Sequence, residues 1–351
     1  MAKKNIDQNI NQEKLSKTAY SLFDFTKKEK PFLIVICILV SVAAIITPYT
    51  YAAMWFGFAL AAYSAIANDS IQTIGTFIAS NQNRKWYWLW LFMGLIFVGT
   101  VTYSWLTLDG DVSYQRLTTK GLEKAPESFV FLQLAAPIVL LIMTRMRMPV
   151  STTFLLLNVF TYKAGTILDV MFKSFVGYIL AFAIAMVVWF ALERFVKNYL
   201  KGQAKPYWMV LQWITSGTLW SVWIMQDAAN IAVFLPRQLG LTEFLVYTGF
   251  VFVGLGFLFY LKGDKIQGIV KIYSSVPMST TWVFIGLLGG RELAIAIGKH
   301  GKAKKKDAWR YRAFKLARND VFKASIGLLV SLILAVIINE GVRNEILDYF
   351  R

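Results

Sequence analysis

The sequence predicts an all-α polytopic membrane protein of about ten spans, built as an inverted-topology repeat with broken or re-entrant helices. Three observations support this class. The chain of 351 residues is 57% hydrophobic and 16% aromatic, and several apolar runs reach the roughly 20 residues that cross a bilayer. One polar pattern occurs twice within these runs, and basic residues cluster between them. Such clusters are typical of cytoplasmic loops under the positive-inside rule.

The first apolar run follows a polar, Lys-rich segment, residues 1–30. We expect this run to be retained as a span rather than cleaved as a signal peptide, because no small-residue cleavage site precedes a polar mature region. The later runs are likewise bounded by polar or basic residues. The predicted spans are 32–47, 51–68, 86–107, 129–144, 150–166, 168–192, 207–225, 242–261, 279–298 and 321–339.

Positive charge between the spans predicts their orientation. The segments predicted to be cytoplasmic on this ground are 84–85, 145–147, 194–205, 262–265 and 299–318. The mixed charges of 109–128 indicate an external segment. The N-terminus is then cytoplasmic, and we expect a multi-pass protein of the cell membrane. The helix that leads to Asp69 starts outside and the helix that leads to Asp227 starts inside, so the two halves are predicted to be inverted.

The predicted organisation has five parts. They are a cytoplasmic N-terminal segment (1–30), a first transmembrane repeat with an extra N-terminal span (31–192), a cytoplasmic linker (193–205), a second transmembrane repeat (206–340) and a C-terminal tail (341–351). The second repeat has less room for spans, since the stretch 266–276 would extend only about 16 Å as a helix. We therefore expect 266–298 to form a re-entrant or shortened hairpin.

The charge and the rare residues exclude several functions. The net charge of +17 is concentrated beside the spans, above all in the basic loop 299–318. We predict that this loop contacts anionic lipids of the bilayer, and we expect no nucleic-acid binding. Cys37 and His300 are the only residues of their kinds, which excludes an intramolecular disulfide and a Cys or His metal cage. His300 lies in the basic loop, so we expect no Ser-His-Asp chemistry. We therefore predict no enzyme, and no cofactor apart from a coupling ion.

The repeated pattern pairs an amide–acid segment with a later Pro-x-Ser-Thr-Thr segment. The first copy comprises 68–72 and 149–153, and the second comprises 226–230 and 277–281. An acid within a membrane span is costly and usually lines a pathway. The alternative is a structural carboxylate that is hydrogen-bonded inside the helix bundle. Because the costly arrangement occurs twice, the sequence favours a pseudosymmetric transporter with its site between the two halves.

The two parts of the pattern predict two kinds of ligand. Proline followed by hydroxyl residues is typical of a helix start, and its free N–H groups and dipole can bind an oxyanion at membrane depth. An ordinary capped span at the interface is the alternative. Carboxylate and amide oxygens suit a hard cation. The predicted oxyanion-binding residues are Ser151, Thr152, Thr153, Ser279, Thr280 and Thr281. The predicted cation-binding residues, with sodium as the candidate metal, are Asn68, Asp69, Gln72, Gln226, Asp227 and Asn230.

These residues resemble the motifs of the inorganic phosphate transporter (PiT) family. Each half of a protein of that family carries a Gly-Ala-Asn-Asp-x-Ala-Asn-like motif and a later Pro-x-Ser-Thr-Thr-His-like motif. Here Ala67-Asn68-Asp69 with Gln72, and Gln226-Asp227 with Ala229-Asn230, are similar to the first motif. The resemblance covers about residues 50–340. It implies uptake of inorganic phosphate coupled to sodium or protons, with the acids near the cation and the Ser-Thr-Thr segments around the phosphate.

Departures from the family pattern leave alternatives open. Phe154 and Trp282 stand where the family often has histidine, so a related oxyanion such as sulfate is the nearest alternative substrate. Sodium is favoured over protons because neutral amide oxygens beside a carboxylate help to coordinate a metal ion. A non-transporting membrane scaffold or sensor that uses 299–318 is the alternative from another class. A homodimer also stays open.

Overall fold

A computed structural model describes residues 29–119, 122–146, 151–161, 163–199, 205–263, 280–298 and 306–349. At Asp69, Gln72, Thr280 and Thr281, among others, it describes the backbone but not the side chain. The described residues form helices and no strand, which confirms the predicted all-α class. The chain divides after Ile46 into two units.

The first unit contributes one described helix, α1 (Glu29–Ile46). The α-helices described in the second unit are α2 (Thr50–Thr73), α3 (Gly75–Ser80), α4 (Trp86–Thr107), α5 (Arg116–Thr119), α6 (Phe131–Arg145), α7 (Ala164–Tyr199), α8 (Pro206–Ala232), α9 (Leu241–Gly263), α10 (Thr280–Gly298), α11 (Lys306–Ile338) and α12 (Glu340–Tyr349). A π-helical turn (Thr153–Leu157) and a 3₁₀ turn (Asn158–Phe160) lie between α6 and α7.

Several helices have the length and composition of membrane spans. Five such candidates are present among the described residues, namely Glu29–Ile46, Thr50–Asn68, Trp86–Thr107, Ile167–Glu193 and Leu241–Tyr260. A sixth is the pair Ala324–Ile338 and Glu340–Asp348, which is bent by 100°. These helices indicate a membrane protein. The prediction of about ten spans is not confirmed by this part of the chain.

A bundle of α2, α4, α8 and α9 forms the interior around the amide–acid segments. Aromatic rings fill the contact between α4 and α9, where Trp90 packs on Phe252 with ring centroids 4.7 Å apart. Trp220 of α8 donates its indole N–H to the carbonyl of Met93 in α4 at 3.0 Å. Buried indole groups that find acceptors in this way fix the helices laterally.

Helices α2 and α8 run antiparallel. Phe234, just after the end of α8, packs against Gly57 near the beginning of α2. At the opposite end, Trp213 near the beginning of α8 donates to Asn81 Oδ1 at 3.0 Å, shortly after α3. The contacts therefore pair the start of one helix with the end of the other.

The loops at one end of the bundle are tied together. Leu239 N donates to the carbonyl of Gly110 at 2.9 Å, and Gly110 has a φ of +89°, in the region that favours glycine. Arg237 donates to the carbonyls of Leu122, Val233, Leu235 and Lys124. Burial lowers the pKa of the Arg237 guanidinium to about 10, against an opposing effect of Asp111.

A second group of helices consists of α7, α10 and α11. Helix α7 has 36 residues, about 54 Å of helix. Gly286 and Gly290 of α10 face the carbonyls of Tyr178 and Phe182 in α7 so closely that a methyl group there would lie 2.3 Å and 2.2 Å from the two oxygens. Small residues at four-residue spacing permit this approach, as they do in many membrane helix pairs.

The structure differs from one predicted span and adds detail to two other predicted segments. Residues 150–166 do not form a continuous span, because the helix that starts at Thr152 ends at Phe160 and Thr161 is extended. Helix α7 continues to Tyr199, into the predicted linker 193–205. The predicted tail 341–351 contains most of α12. Of the predicted hairpin 266–298, residues 266–279 lie outside the described residues, as does the basic stretch 299–305.

Candidate functional site

The last turns of α8 and the short helical segment after α6 meet in the interior of the second unit. Helix α8 carries Asp227 and Asn230, and the short segment carries Thr152 and Thr153. Ser151 starts that segment, since its Oγ accepts a hydrogen bond from the N–H of Phe154 at 3.0 Å. This is the capping contact that the sequence predicts for a hydroxyl at a helix start.

Asn230 connects the two segments through its side-chain amide. Its Nδ2 donates to Thr152 Oγ1 at 3.0 Å, to Thr153 Oγ1 at 3.1 Å and to Asp227 Oδ1 at 2.7 Å. The hydroxyl of Thr153 donates to Asp227 Oδ1 at 3.5 Å. The orientation of the amide is assigned from these contacts, in which the nitrogen faces three oxygen atoms. We call Thr152, Thr153, Asp227 and Asn230 the polar cluster.

The polar cluster is buried. Asp227 is 5% exposed, Asn230 is 0% exposed, and Thr152 and Thr153 are 2% and 7% exposed. A carboxylate removed from water needs hydrogen bonds or an opposite charge to compensate for lost hydration. Asn230 and Thr153 supply hydrogen bonds to Asp227. Within the described part of the chain, no hydrogen-bond donor reaches Oδ1 of Asn230, so that oxygen retains its capacity to accept.

The cluster has the composition of a site for a hard cation. A carboxylate oxygen of Asp227 and the hydroxyl oxygens of Thr152 and Thr153 surround the amide nitrogen of Asn230. Such oxygens are the ligands preferred by hard cations. Rotation of the amide by half a turn would bring Oδ1 to the place of Nδ2. The amide of Asn230 can therefore present either its hydrogens or its oxygen to the other three residues.

Arg116 is a charged residue beside the cluster that sequence reasoning did not select. Its Nη1 donates to the backbone carbonyl of Gln226, the residue that precedes Asp227. Burial lowers the pKa of the Arg116 guanidinium from its ordinary value, and the negative charge of Asp227 opposes that shift. An arginine side chain stays protonated in proteins. The cluster therefore has a positive charge near enough to interact with its carboxylate.

A cavity of about 20 Å³ lies beside Asp227, where α2, α4, α8 and α9 meet. Ala65 lines it from α2, and Trp223 lines it from α8 one turn before Asp227. In the same described region, no acceptor reaches the indole N–H of Trp223. The volume suffices for about one water molecule. Ala65, which lies one turn before Asp69, and Asp227 therefore line the same cavity.

Two further side chains donate hydrogen bonds to the end of the helical segment that follows Ser151. Asn339, at the bend between α11 and α12, donates to the carbonyls of Asn158 and Val159 at 3.2 Å each. Gln133 of α6 donates to the carbonyl of Val159 at 3.3 Å. Both side chains are buried. They satisfy backbone carbonyls that the end of the 3₁₀ turn leaves without helical partners. Sequence reasoning missed both, because an amide at a helix end is ordinary.

The structure brings together only some of the predicted site residues. Thr152 and Thr153 from the predicted oxyanion set touch Asp227 and Asn230 from the predicted cation set, so the two sets are not separate here. Asn68 is buried in α2 at 1% exposure. Gln226 is exposed, and its backbone carbonyl accepts a hydrogen bond from Arg116.

The remaining predicted residues belong mostly to the second Ser-Thr-Thr segment. Ser279 lies outside the described residues. Asp69, Gln72, Thr280 and Thr281 have a described helical backbone only. Whether their side chains join the polar cluster stays a prediction. Comparison of the chain with protein-family models, with curated proteins and with solved structures gives no match.

Proposed function

We propose that the chain is a secondary active transporter that imports inorganic phosphate across the cell membrane together with a cation, sodium rather than protons. The polar cluster is the observation that carries this proposal. It links the first Ser-Thr-Thr segment to the second amide–acid segment, in a protein whose helices can cross a membrane. A buried acid in a membrane protein is by default a functional group on a substrate or ion path.

The finer architecture that we propose is an inverted repeat with about ten spans and a cytoplasmic N-terminus. The antiparallel arrangement of α2 and α8 supports it, since each helix carries one amide–acid segment. The cavity shared by Ala65 and Asp227 supports a single site between the two halves. Transporters built from inverted repeats place their sites in this way, beside broken helices. Membership of the inorganic phosphate transporter (PiT) family is part of the same proposal.

The proposed roles follow from chemistry. Phosphate would bind at the starts of the two Ser-Thr-Thr segments, where hydroxyls and free N–H groups are donors. The cation would bind at the two amide–acid segments. Sodium is favoured because Asp227 and Asn230 lie in contact and offer carboxylate and amide oxygens. Entry of an anion against an inside-negative potential also needs compensating positive charge. The residues proposed for the two sites are those given by the sequence.

Uptake by purified protein in liposomes tests the proposal. We expect saturable entry of radiolabelled phosphate under an inward sodium gradient, and little entry when choline replaces sodium. Asp227→Asn should lower the rate at limiting sodium by at least roughly tenfold, because a buried charge partner is lost. Asp169→Asn is the matched control, since Asp169 is an exposed acid on α7 that pairs with Lys173.

Other outcomes would redirect the proposal. Uptake of sulfate but not phosphate would reject the phosphate assignment while keeping a transporter. Uptake that follows a pH gradient and ignores sodium would reject sodium coupling. If no oxyanion enters and Asp227→Asn leaves the cellular role intact while deletion of 299–318 abolishes it, a scaffold or sensor is the correct function.

A further inference from the structure

Arg116 occupies a position between the polar cluster and the surface. It lies on α5, which contacts α8, and its guanidinium reaches the carbonyl of Gln226. Its neighbours Gln115, Leu117 and Thr118 line a surface depression of about 890 Å³, and Arg116 is not among the lining residues. The short helix α5 therefore borders this depression and, through Arg116, contacts α8 beside the polar cluster.

We propose that Arg116 couples the two transported ions, because its charge opposes the cation at Asp227 until an oxyanion has bound. This inference rests on the proposed function. It assigns to Arg116 an electrostatic role towards both ions, namely repulsion of the cation and attraction of the oxyanion. The residue was not expected from the sequence, which predicts an oxyanion site made of hydroxyls and amides alone.

The balance of charge explains the coupling. Without transported ions, the Arg116 guanidinium and the Asp227 carboxylate neutralise each other. A cation at Asp227 adds a positive charge beside a guanidinium that is half-buried, where repulsion is stronger than in water. An oxyanion at the neighbouring Thr152 and Thr153 removes that excess. Each ion therefore binds more tightly in the presence of the other, which is the reciprocal relation required of coupled sites.

A second arginine shows what a structural role looks like in the same region. Arg237 directs its guanidinium at four backbone carbonyls and thereby joins the loops at this end of the bundle. Arg116 instead donates to the carbonyl of Gln226, the residue that precedes Asp227 of the polar cluster, and the negative charge of Asp227 acts on its guanidinium. Loss of Arg237 should destabilise the loops at this end of the bundle. Loss of Arg116 should weaken the binding of the oxyanion and strengthen the binding of the cation.

The test measures two constants in proteoliposomes for each variant: the KM for phosphate at saturating sodium, and the sodium concentration for half-maximal uptake. For Arg116→Gln we expect the KM for phosphate to rise about tenfold, and the half-maximal sodium concentration at saturating phosphate to fall about fivefold. Arg116→Lys keeps the charge and should restore both constants at least partly. Arg84→Gln, at an exposed arginine that contacts Met209, should change neither.

The outcomes separate this inference from the proposed function. If wild-type uptake follows protons, the external pH for half-maximal uptake replaces the sodium constant, and in Arg116→Gln it should shift upwards. Two results would overturn the coupling role alone. One is weaker binding of both ions in Arg116→Gln. The other is a complete loss of uptake in both Arg116→Gln and Arg116→Lys while size exclusion shows folded protein. Absence of any oxyanion uptake by the wild-type protein would overturn the proposed function and this inference with it.

Discussion

At the scale of single residues, the amide of Asn230 holds together parts of the chain that are distant in sequence. Thr152 lies 78 positions away from Asn230 and Thr153 lies 77 positions away. The amide hydrogens donate to three buried oxygen atoms, as buried polar groups require. Asn230 therefore joins the last turns of α8 to the Ser-Thr-Thr segment.

The hydroxyl of Thr153 gives a prediction at this scale. Thr153→Val keeps the shape of the side chain but removes its hydrogen bonds with Asp227 and Asn230. We expect phosphate uptake to fall about tenfold, since one buried hydrogen bond to a charged group contributes about 1.5–3 kcal/mol. Thr153→Ser should keep most of the uptake.

A matched control lies in the same segment. Thr161 is also buried, and its hydroxyl donates only locally to the carbonyl of Leu157 at 3.1 Å. Thr161→Val should retain uptake within about threefold. Equal losses in Thr153→Val and Thr161→Val would show that the segment needs its fold and that the Thr153 hydroxyl has no special role.

Sequence reasoning identifies the members of the polar cluster and misses their neighbours, for a physical reason. Asp227 and Asn230 are conspicuous because polar groups in an apolar run are costly. Arg116 lies in a segment of mixed charge, where one more arginine carries no signal. Asn339 follows a helix, where asparagine is common. Their importance comes from long-range contacts, which periodicity and composition do not record.

At the scale of elements, the Ser-Thr-Thr segment depends on the C-terminal helices. Asn339 contacts the 3₁₀ turn, and Glu345 of α12 accepts a hydrogen bond from the N–H of Ala164 at 2.7 Å. A carboxylate at the start of α7 also has favourable electrostatics with the helix dipole. The break in the helix between Phe160 and Ala164 is thus stabilised by hydrogen bonds before it, from Asn339, and after it, to Glu345. This explains why residues 150–166 are not one continuous helix.

Asn339 provides a prediction for this element. Asn339→Ala removes two hydrogen bonds to carbonyls of the 3₁₀ turn, so we expect the free energy of unfolding to fall by about 1–3 kcal/mol. Thermal unfolding in detergent would show this as a lower midpoint temperature. Asn344→Ala, at an exposed position of α12, is the control and should leave the midpoint unchanged. Similar midpoints for the two variants would contradict the proposed support of the segment.

The contact between α7 and α10 provides another prediction at this scale. A methyl group at Gly290 would lie 2.2 Å from the carbonyl oxygen of Phe182, and backbone cannot move aside as a side chain can. Gly290→Ala should therefore separate the two helices and lower the midpoint of thermal unfolding. Gly249→Ala in α9 meets nothing within 4 Å and should raise the midpoint slightly, because alanine is the better helix former by about 1 kcal/mol. Shifts of the same sign would show that α7 and α10 are not closely packed.

At the scale of the whole molecule, apolar length predicts many of the long helices. Five predicted spans, 32–47, 51–68, 86–107, 168–192 and 242–261, correspond to the helices that qualify as membrane spans. Helix α8 has 27 residues but is not among them. Helix α8 carries Asp227 and Asn230 of the polar cluster. Polar residues on the inner face of a helix lower its mean hydropathy, so such a span is harder to recognise. The total number of spans therefore could not be read from apolar length alone.

The last prediction concerns the orientation of the two ends of the bundle. The loops that contain Gln115 and Gln238 lie at one end, tied by the contact between Gly110 and Leu239. Asn83 and Lys205 belong to the other end, where Asn81 contacts the start of α8. Lys and Arg near that second end predict that it is cytoplasmic. The four labelling positions, Gln115, Gln238, Asn83 and Lys205, are exposed.

Single cysteines test this orientation. Cys37 is the only cysteine, so Cys37→Ser gives a background into which Gln115→Cys, Gln238→Cys, Asn83→Cys or Lys205→Cys is introduced. A membrane-impermeant maleimide should label the Gln115 and Gln238 positions in intact cells, and the Asn83 and Lys205 positions only after the membrane is opened. Because α2 and α8 start at opposite ends of the bundle, this result would place their starting points on opposite sides of the membrane, as an inverted repeat requires. Labelling of the Gln115 and Asn83 positions from the same side would contradict the inverted repeat.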